Sequence, residues 1–180
     1  MRIMIILLLW STFLFGYNYN NLLLQAQASI FPKILLLDKK IDNKLIDGKI
    51  IFTIIYDKND YKAAQQINNY INENYKNYFD TYAYKINLVE ISDFSLDTPA
   101  SAIYMLNSAE NVKKVAEIAK KKGIITFSYD INNLKDGLLF SLMLEKSTVL
   151  YLNKEYLYTK KIDFVDALLR MVKFIDSDNS

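Results

Sequence analysis

The sequence predicts a single-domain α/β fold: a mostly parallel sheet flanked by helices, with a C-terminal antiparallel hairpin and a final helix. Three observations predict it. Residues 49–56 read KIIFTIIY, a continuous apolar, β-branched run suited to a central strand buried on both faces. Strand-like and helix-like patterns then alternate as far as Ser128, the order that gives a sheet with helices on its faces. Lastly, the apolar runs 138–144 and 148–153 are separated only by Glu145-Lys146-Ser147. That is too short for a crossover, so the two runs should pair antiparallel.

The elements follow in chain order. Met1-Arg2 is a short basic start, and residues 3–15 are mainly apolar before Gly16 and the polar run Tyr17-Asn18-Tyr19-Asn20-Asn21. This pattern fits a secretory signal peptide and falls short of the roughly twenty residues that span a bilayer. We therefore divide the chain into a signal peptide, residues 1–16, and an α/β domain, residues 17–180. The expected location is periplasmic, with a membrane anchor formed by residues 3–15 as the alternative. Cleavage after Gly16 leaves Leu14 at a position that usually holds a smaller residue. Ala26-Gln27-Ala28 is a better A-x-A match but lies inside the next helical pattern.

Residues 20–37 repeat apolar side chains at Leu24, Ala28, Phe31 and Leu35, the spacing of a helix face, with Pro32 expected to kink it or begin a new helix. After the strand at 49–56, residues 61–75 place Ala64, Ile67 and Ile71 on one helical face. Strands are expected at 83–91 and 100–106. A helix should follow over 109–122, capped by Ser108, with Val112, Val115, Ala116 and Ala119 inward. Gly123 ends it, and residues 124–128 form the next strand. Lys120-Lys121-Lys122 falls in the last turn, where cations meet the helix dipole.

Composition limits the chemistry. The chain has no His and no Cys, so it has no imidazole base, no thiolate and no nitrogen or sulfur ligand for zinc. A net charge of +2, from 22 Lys+Arg against 20 Asp+Glu, gives no reason to expect nucleic acid. No catalytic residue, cofactor or metal site is assigned, and an enzyme is not expected. Asp57, Asp60 and Asp130 could together offer oxygens to a hard cation. The simpler reading is capping of the helix at residue 61 by Asp57 or Asn59.

The order of elements resembles the YfiR-like periplasmic proteins, over roughly residues 22–175. Thr126-Phe127-Ser128-Tyr129-Asp130 stands where family members carry a Thr-Val-Ser-Asp-like strand end, with one extra residue. Asp136-Gly137-Leu138-Leu139 matches a Gly-Gly-Met-Ile-like hairpin start, and Leu152-Asn153 an Ile-Asn-like strand end. Asp166-Ala167-Leu168-Leu169-Arg170-Met171 matches a Ser-x-Leu-Leu-Arg-Leu-like helix. Phe31-Pro32-Lys33-Ile34 occupies the place of a Phe-x-Lys-Phe pattern, but Leu37 stands where the family has Trp. The resemblance implies a regulator that binds the external region of a membrane signalling protein, of the diguanylate cyclase (cyclic-di-GMP) or histidine kinase type. The alternative is a periplasmic protein that binds a small ligand and works with a transporter or receptor.

Contact with a partner, or in a homodimer, needs apolar surface and shape rather than a tuned catalytic group. The dense aromatic cluster between helix and strand offers Tyr75, Tyr78, Phe79 and Tyr82 as contact residues. The first helix offers Leu23 and Phe31, for which core packing is the simpler reading.

Overall fold

The computed structural model describes residues 17–106, 111–155 and 161–175. Its centre is strand β1, Ile50–Tyr56, in which all but the last residue are buried. The run is apolar on both sides because both faces of the sheet are covered there. Ile50, Phe52 and Ile54 point into one core with helices α1, Asn21–Leu35, and α2, Tyr61–Tyr75. Ile55 points into a second core with Val112, Val115, Ala116 and Ala119 of α3, Val112–Lys122.

The sheet has eight strands in the order β2-β3-β1-β4-β5-β6-β7-β8. The short β2, Tyr78–Phe79, pairs antiparallel with β3, Tyr82–Glu90, which runs parallel to β1. On the other side of β1 come β4, Ala102–Met105, β5, Ile125–Ser128, and β6, Phe140–Leu144, all parallel. Strand β7, Thr148–Asn153, pairs antiparallel with β6 in the register Leu144↔Thr148 to Phe140↔Leu152, giving the expected hairpin. The expected α/β class, with its parallel sheet, flanking helices and hairpin, is the observed one.

Three local details add to or differ from the sequence reading. The expected final helix is present, and a short strand that was not expected follows it. Helix α4, Asp166–Met171, leads into β8, Lys173–Ile175, which pairs parallel with β7. Helix α3 begins at Val112 rather than at residue 109, because Asn111 adopts a left-handed backbone with φ 65°. Ser108, expected as its cap, lies outside the described residues. Helix α1 runs unbroken through Pro32 and closes one turn later, so no new helix begins there. Proline removes one intrahelical donor there, while Phe31, Ile34 and Leu35 around it are buried in the core.

Helix α1 is tied to the sheet by a buried polar residue. Gln27 donates from Nε2 to the carbonyls of Leu142, at 3.0 Å, and Tyr129, at 3.3 Å, and its Oε1 accepts from the Tyr104 hydroxyl at 2.5 Å. Around it, Phe31 stacks on Phe127 with ring centroids 4.5 Å apart. This burial also bears on processing. Gln27 and Ala28 are enclosed, so cleavage after Ala28 would remove Leu23, Leu24 and Gln27 from the core.

The C-terminal segment is latched to the end of α1. Asp38 is buried, and its Oδ1 accepts from the backbone N–H of Asp163 at 3.0 Å and of Lys40 at 3.1 Å. The Lys44 ammonium lies 2.7 Å from Oδ2. Val165 donates its N–H to the Leu37 carbonyl at 3.1 Å, and Lys39 to that of Asp163 at 2.7 Å.

Candidate functional site

The strand order makes one place distinctive. From β1 the chain passes through α2 to β3 on one side, whereas β4 lies on the other, so the connections diverge between the carboxyl ends of β1 and β4. In open α/β sheets ligands bind in the crevice at such a divergence. The residues there come from the ends of three strands: Tyr56 at the end of β1 and Asp57 after it, Leu106 after β4, and Tyr129 and Asp130 after β5.

The chain itself covers this crevice. Residues 17–20 lie against it before α1 begins, through the contacts of Tyr17 and Tyr19 with Tyr129, and Asn20 caps α1 by accepting the N–H groups of Leu22 and Leu23. Tyr17, Tyr19 and Tyr129 form an edge-to-face trio with centroid separations of 5.0, 4.7 and 5.9 Å. Edge-to-face rings place the positive rim of one over the negative face of the next, which holds the three together beyond their buried area. The Tyr129 hydroxyl accepts from the Asn20 N–H at 2.9 Å.

Beneath the trio is Asp60, only 6% exposed. Its Oδ2 accepts from the Tyr19 hydroxyl at 2.7 Å, and its carboxylate also accepts the Tyr17 backbone N–H. Burial pushes the Asp60 carboxyl above the usual carboxylate range. Nearby Asp57 adds to that, while the Tyr19 and Tyr17 hydrogen bonds oppose it. Asp60, expected in the first turn with the cap at Asp57 or Asn59, instead occupies the N-cap position of α2, and its side chain makes no capping bond. Asp57 precedes the short helical turn at Lys58–Asp60, likewise without a side-chain cap bond. Among the described residues, no group of three acidic side chains is placed to hold a metal ion.

The edge beyond the trio remains aromatic and acidic. Tyr56 and Tyr61 pack with centroids 5.4 Å apart, and the Tyr56 phenol is raised by burial and by Glu90, Tyr61 and Asp93. The Tyr17 phenol is raised by burial, then by Tyr129 and Asp130. The opposite, amino edge of the sheet is different: a hollow of about 420 Å³ there is lined by Lys40, Asn43, Lys44, Lys122, Gly123 and Lys161.

The contact residues read from the sequence are not brought together as a surface. Leu23, Phe31 and Phe79 are buried in the core, which corrects their assignment to a contact face. Phe79 stacks on Tyr84 with centroids 4.0 Å apart and meets Tyr75 edge-on at 5.0 Å. Tyr75 is half-buried and its hydroxyl donates to the Ser29 carbonyl, so it joins α2 to α1. The Tyr82 hydroxyl donates to Asp42 at 2.8 Å. Tyr78 alone of the six is open to solvent, at 57% exposure. Tyr17, Tyr19 and Tyr61, which line the crevice, were missed; the signal for the first two was the Tyr-Asn-Tyr-Asn run directly before α1.

No family model and no curated protein matches the chain. Among solved structures, it is similar to a conserved domain protein from Vibrio cholerae O1 biovar eltor, with a TM-score of 0.59 and 11% identity. It is also similar to the ABC domain from Streptococcus pneumonia in complex with L-Trp, with a TM-score of 0.52 and 10% identity. The matches cover 84% and 79% of this chain but 59% and 60% of those chains, so it spans about three fifths of their length. At these identities what is shared is the fold, an α/β sheet of this kind.

Proposed function

We propose that the chain is an exported, YfiR-like regulator that binds the external region of a membrane signalling protein and controls it by contact. The observation that carries this reading is the covered crevice. Tyr17, Tyr19 and Tyr129 fill the place where the fold would receive a small molecule, and Tyr17 and Tyr61 leave aromatic surface exposed beside it. Tyrosine supplies large contact area at low entropic cost, and the sequence provides no His or Cys for common catalytic constellations. The test is recovery from a membrane extract of the producing bacterium, with the exported protein as bait. The expected partner is a membrane-bound diguanylate cyclase or histidine kinase; recovery of neither contradicts the reading.

A second reading, a small-ligand-binding protein working with a transporter or receptor, is favoured by the fold shared with the L-Trp-bound domain. It requires the Tyr17–Asn20 segment to move aside. A saturable rise in melting temperature with L-Trp or another amino acid would support it, since a ligand that binds only the native state must stabilise it. No shift across the amino acids would count against it.

A further inference from the structure

We propose that Asp60 is the built-in counter-ion of the mature α-amino group, created when export cleaves the chain between Gly16 and Tyr17. The inference rests on the export reading above. Three observations support it independently of sequence pattern at the cleavage site.

The first is placement. The Tyr17 nitrogen is already a donor to the Asp60 carboxylate, and the Tyr19 hydroxyl holds the same group at 2.7 Å. The second is that Asp60 forgoes the role its position offers. At the N-cap of α2 an aspartate ordinarily accepts helix N–H groups, yet here the side chain makes no such bond and serves residues 17 and 19 instead. The third is electrostatic. Asp60 is enclosed beside Asp57, and among the described residues no cation figures among the groups acting on it. The other titratable groups around it are the Tyr17, Tyr19, Tyr56, Tyr61 and Tyr129 phenols, Asp130, and the exposed Lys58 of its own turn. An enclosed carboxylate without a cation is costly, and a positive group at the Tyr17 nitrogen removes that cost.

The chemistry balances simply. A signal peptidase adds water across the Gly16–Tyr17 amide. The carbon side leaves as the Gly16 carboxylate with residues 1–16. The nitrogen stays on Tyr17 and takes up protons to become an ammonium. A neutral amide donor to Asp60 thus becomes a charged one at the same atom, and charge-assisted hydrogen bonds are about twice as strong. The result fastens residues 17–20 over the crevice. Processing therefore completes the surface assigned to the partner.

The experiment uses the full chain, produced in a bacterial host that exports it. Intact mass should show a chain beginning at Tyr17. An acylating reagent selective for α-amines at neutral pH should then modify the wild-type terminus about tenfold more slowly than that of Asp60→Asn, since one unit of raised amine pKa lowers the free base about tenfold. If Asp60→Asn does not fold, an NMR titration of the wild-type Asp60 carboxyl replaces it. The carboxyl should titrate lower in the processed protein than in full chain made in an export-blocked host. Equal acylation rates, an unchanged Asp60 titration, or cleavage at another bond would overturn the inference and leave export standing. A chain exported nowhere and cleaved nowhere would overturn both.

Discussion

Gln27 shows how a single polar residue can matter more than its apolar neighbours. It is fully enclosed, and each polar atom of its amide has a partner in Leu142, Tyr129 or Tyr104. Gln27→Leu keeps the volume but strands two carbonyls and a hydroxyl, so we expect a loss of about 2–4 kcal/mol, measurable by urea unfolding. Asp38 is the second such residue. Asp38→Ala leaves the nearly enclosed Lys44 ammonium without its carboxylate and frees the Asp163 N–H, for an expected loss of about 3–5 kcal/mol. The tyrosines add a pH dependence. Burial, with Tyr84 beside it, raises the Tyr75 phenol to about 12, and burial raises Tyr104 well above its ordinary value. Their contribution to stability is complete below the unfolded value of 10, because both states are then protonated. Above it the unfolded chain releases protons that the folded chain retains, so stability falls as pH rises from about 10 towards 12. Urea unfolding at pH 8, 10 and 11 should show this fall, and Tyr75→Phe should make it shallower.

At the scale of elements, the close approach at the end of α3 is the clearest constraint. Gly123 has φ +72°, and a Cβ there would lie 2.6 Å from the Lys161 Cβ, near the root of that side chain where it cannot swing away. Gly123→Ala should therefore cost more than the roughly 1 kcal/mol of left-handed strain alone. It should also raise hydrogen exchange at the Asp163 and Val165 amides, which bond to Asp38 and Leu37. Elements with strong periodicity were legible in the sequence: the 49–56 run, the α2 face at Ala64, Ile67 and Ile71, and the hairpin across Glu145-Lys146-Ser147. The short strands were not. Strand β2 is two residues and β8 three, and each exists because a neighbouring strand offers an edge, which no local pattern announces. The aromatic cluster at 75–84 was legible as a cluster. Its destination was not, because Phe79 is enclosed against the sequence-distant Phe52 as well as the nearby Tyr75 and Tyr84.

Among the described residues the two edges of the sheet differ in their polar groups, although Lys58 and Lys62 lie at the first and Asp38 and Asp42 at the second. Tyrosines and carboxylates gather at the carboxyl edge, through Tyr56, Asp57, Asp60, Tyr61 and Asp130, while lysines line the hollow at the amino edge. The carboxyl-edge acids could be placed from the sequence, since Asp57 and Asp60 follow the central strand. The covering tyrosines could not, because they reach the crevice from residues 17–19, about forty and more than a hundred positions from Asp60 and Tyr129. An asymmetric surface of this kind favours one orientation of approach, with the acidic aromatic edge facing a complementary partner. The most direct measurement is site-specific crosslinking in the producing bacterium, with a photoreactive aromatic residue replacing Tyr61 at the carboxyl edge or, in a second strain, Asn43 at the amino edge. We predict that the Tyr61 position captures a membrane-bound diguanylate cyclase or histidine kinase and the Asn43 position does not. Capture from Asn43 alone, or of no membrane signalling protein from either position, would contradict the account.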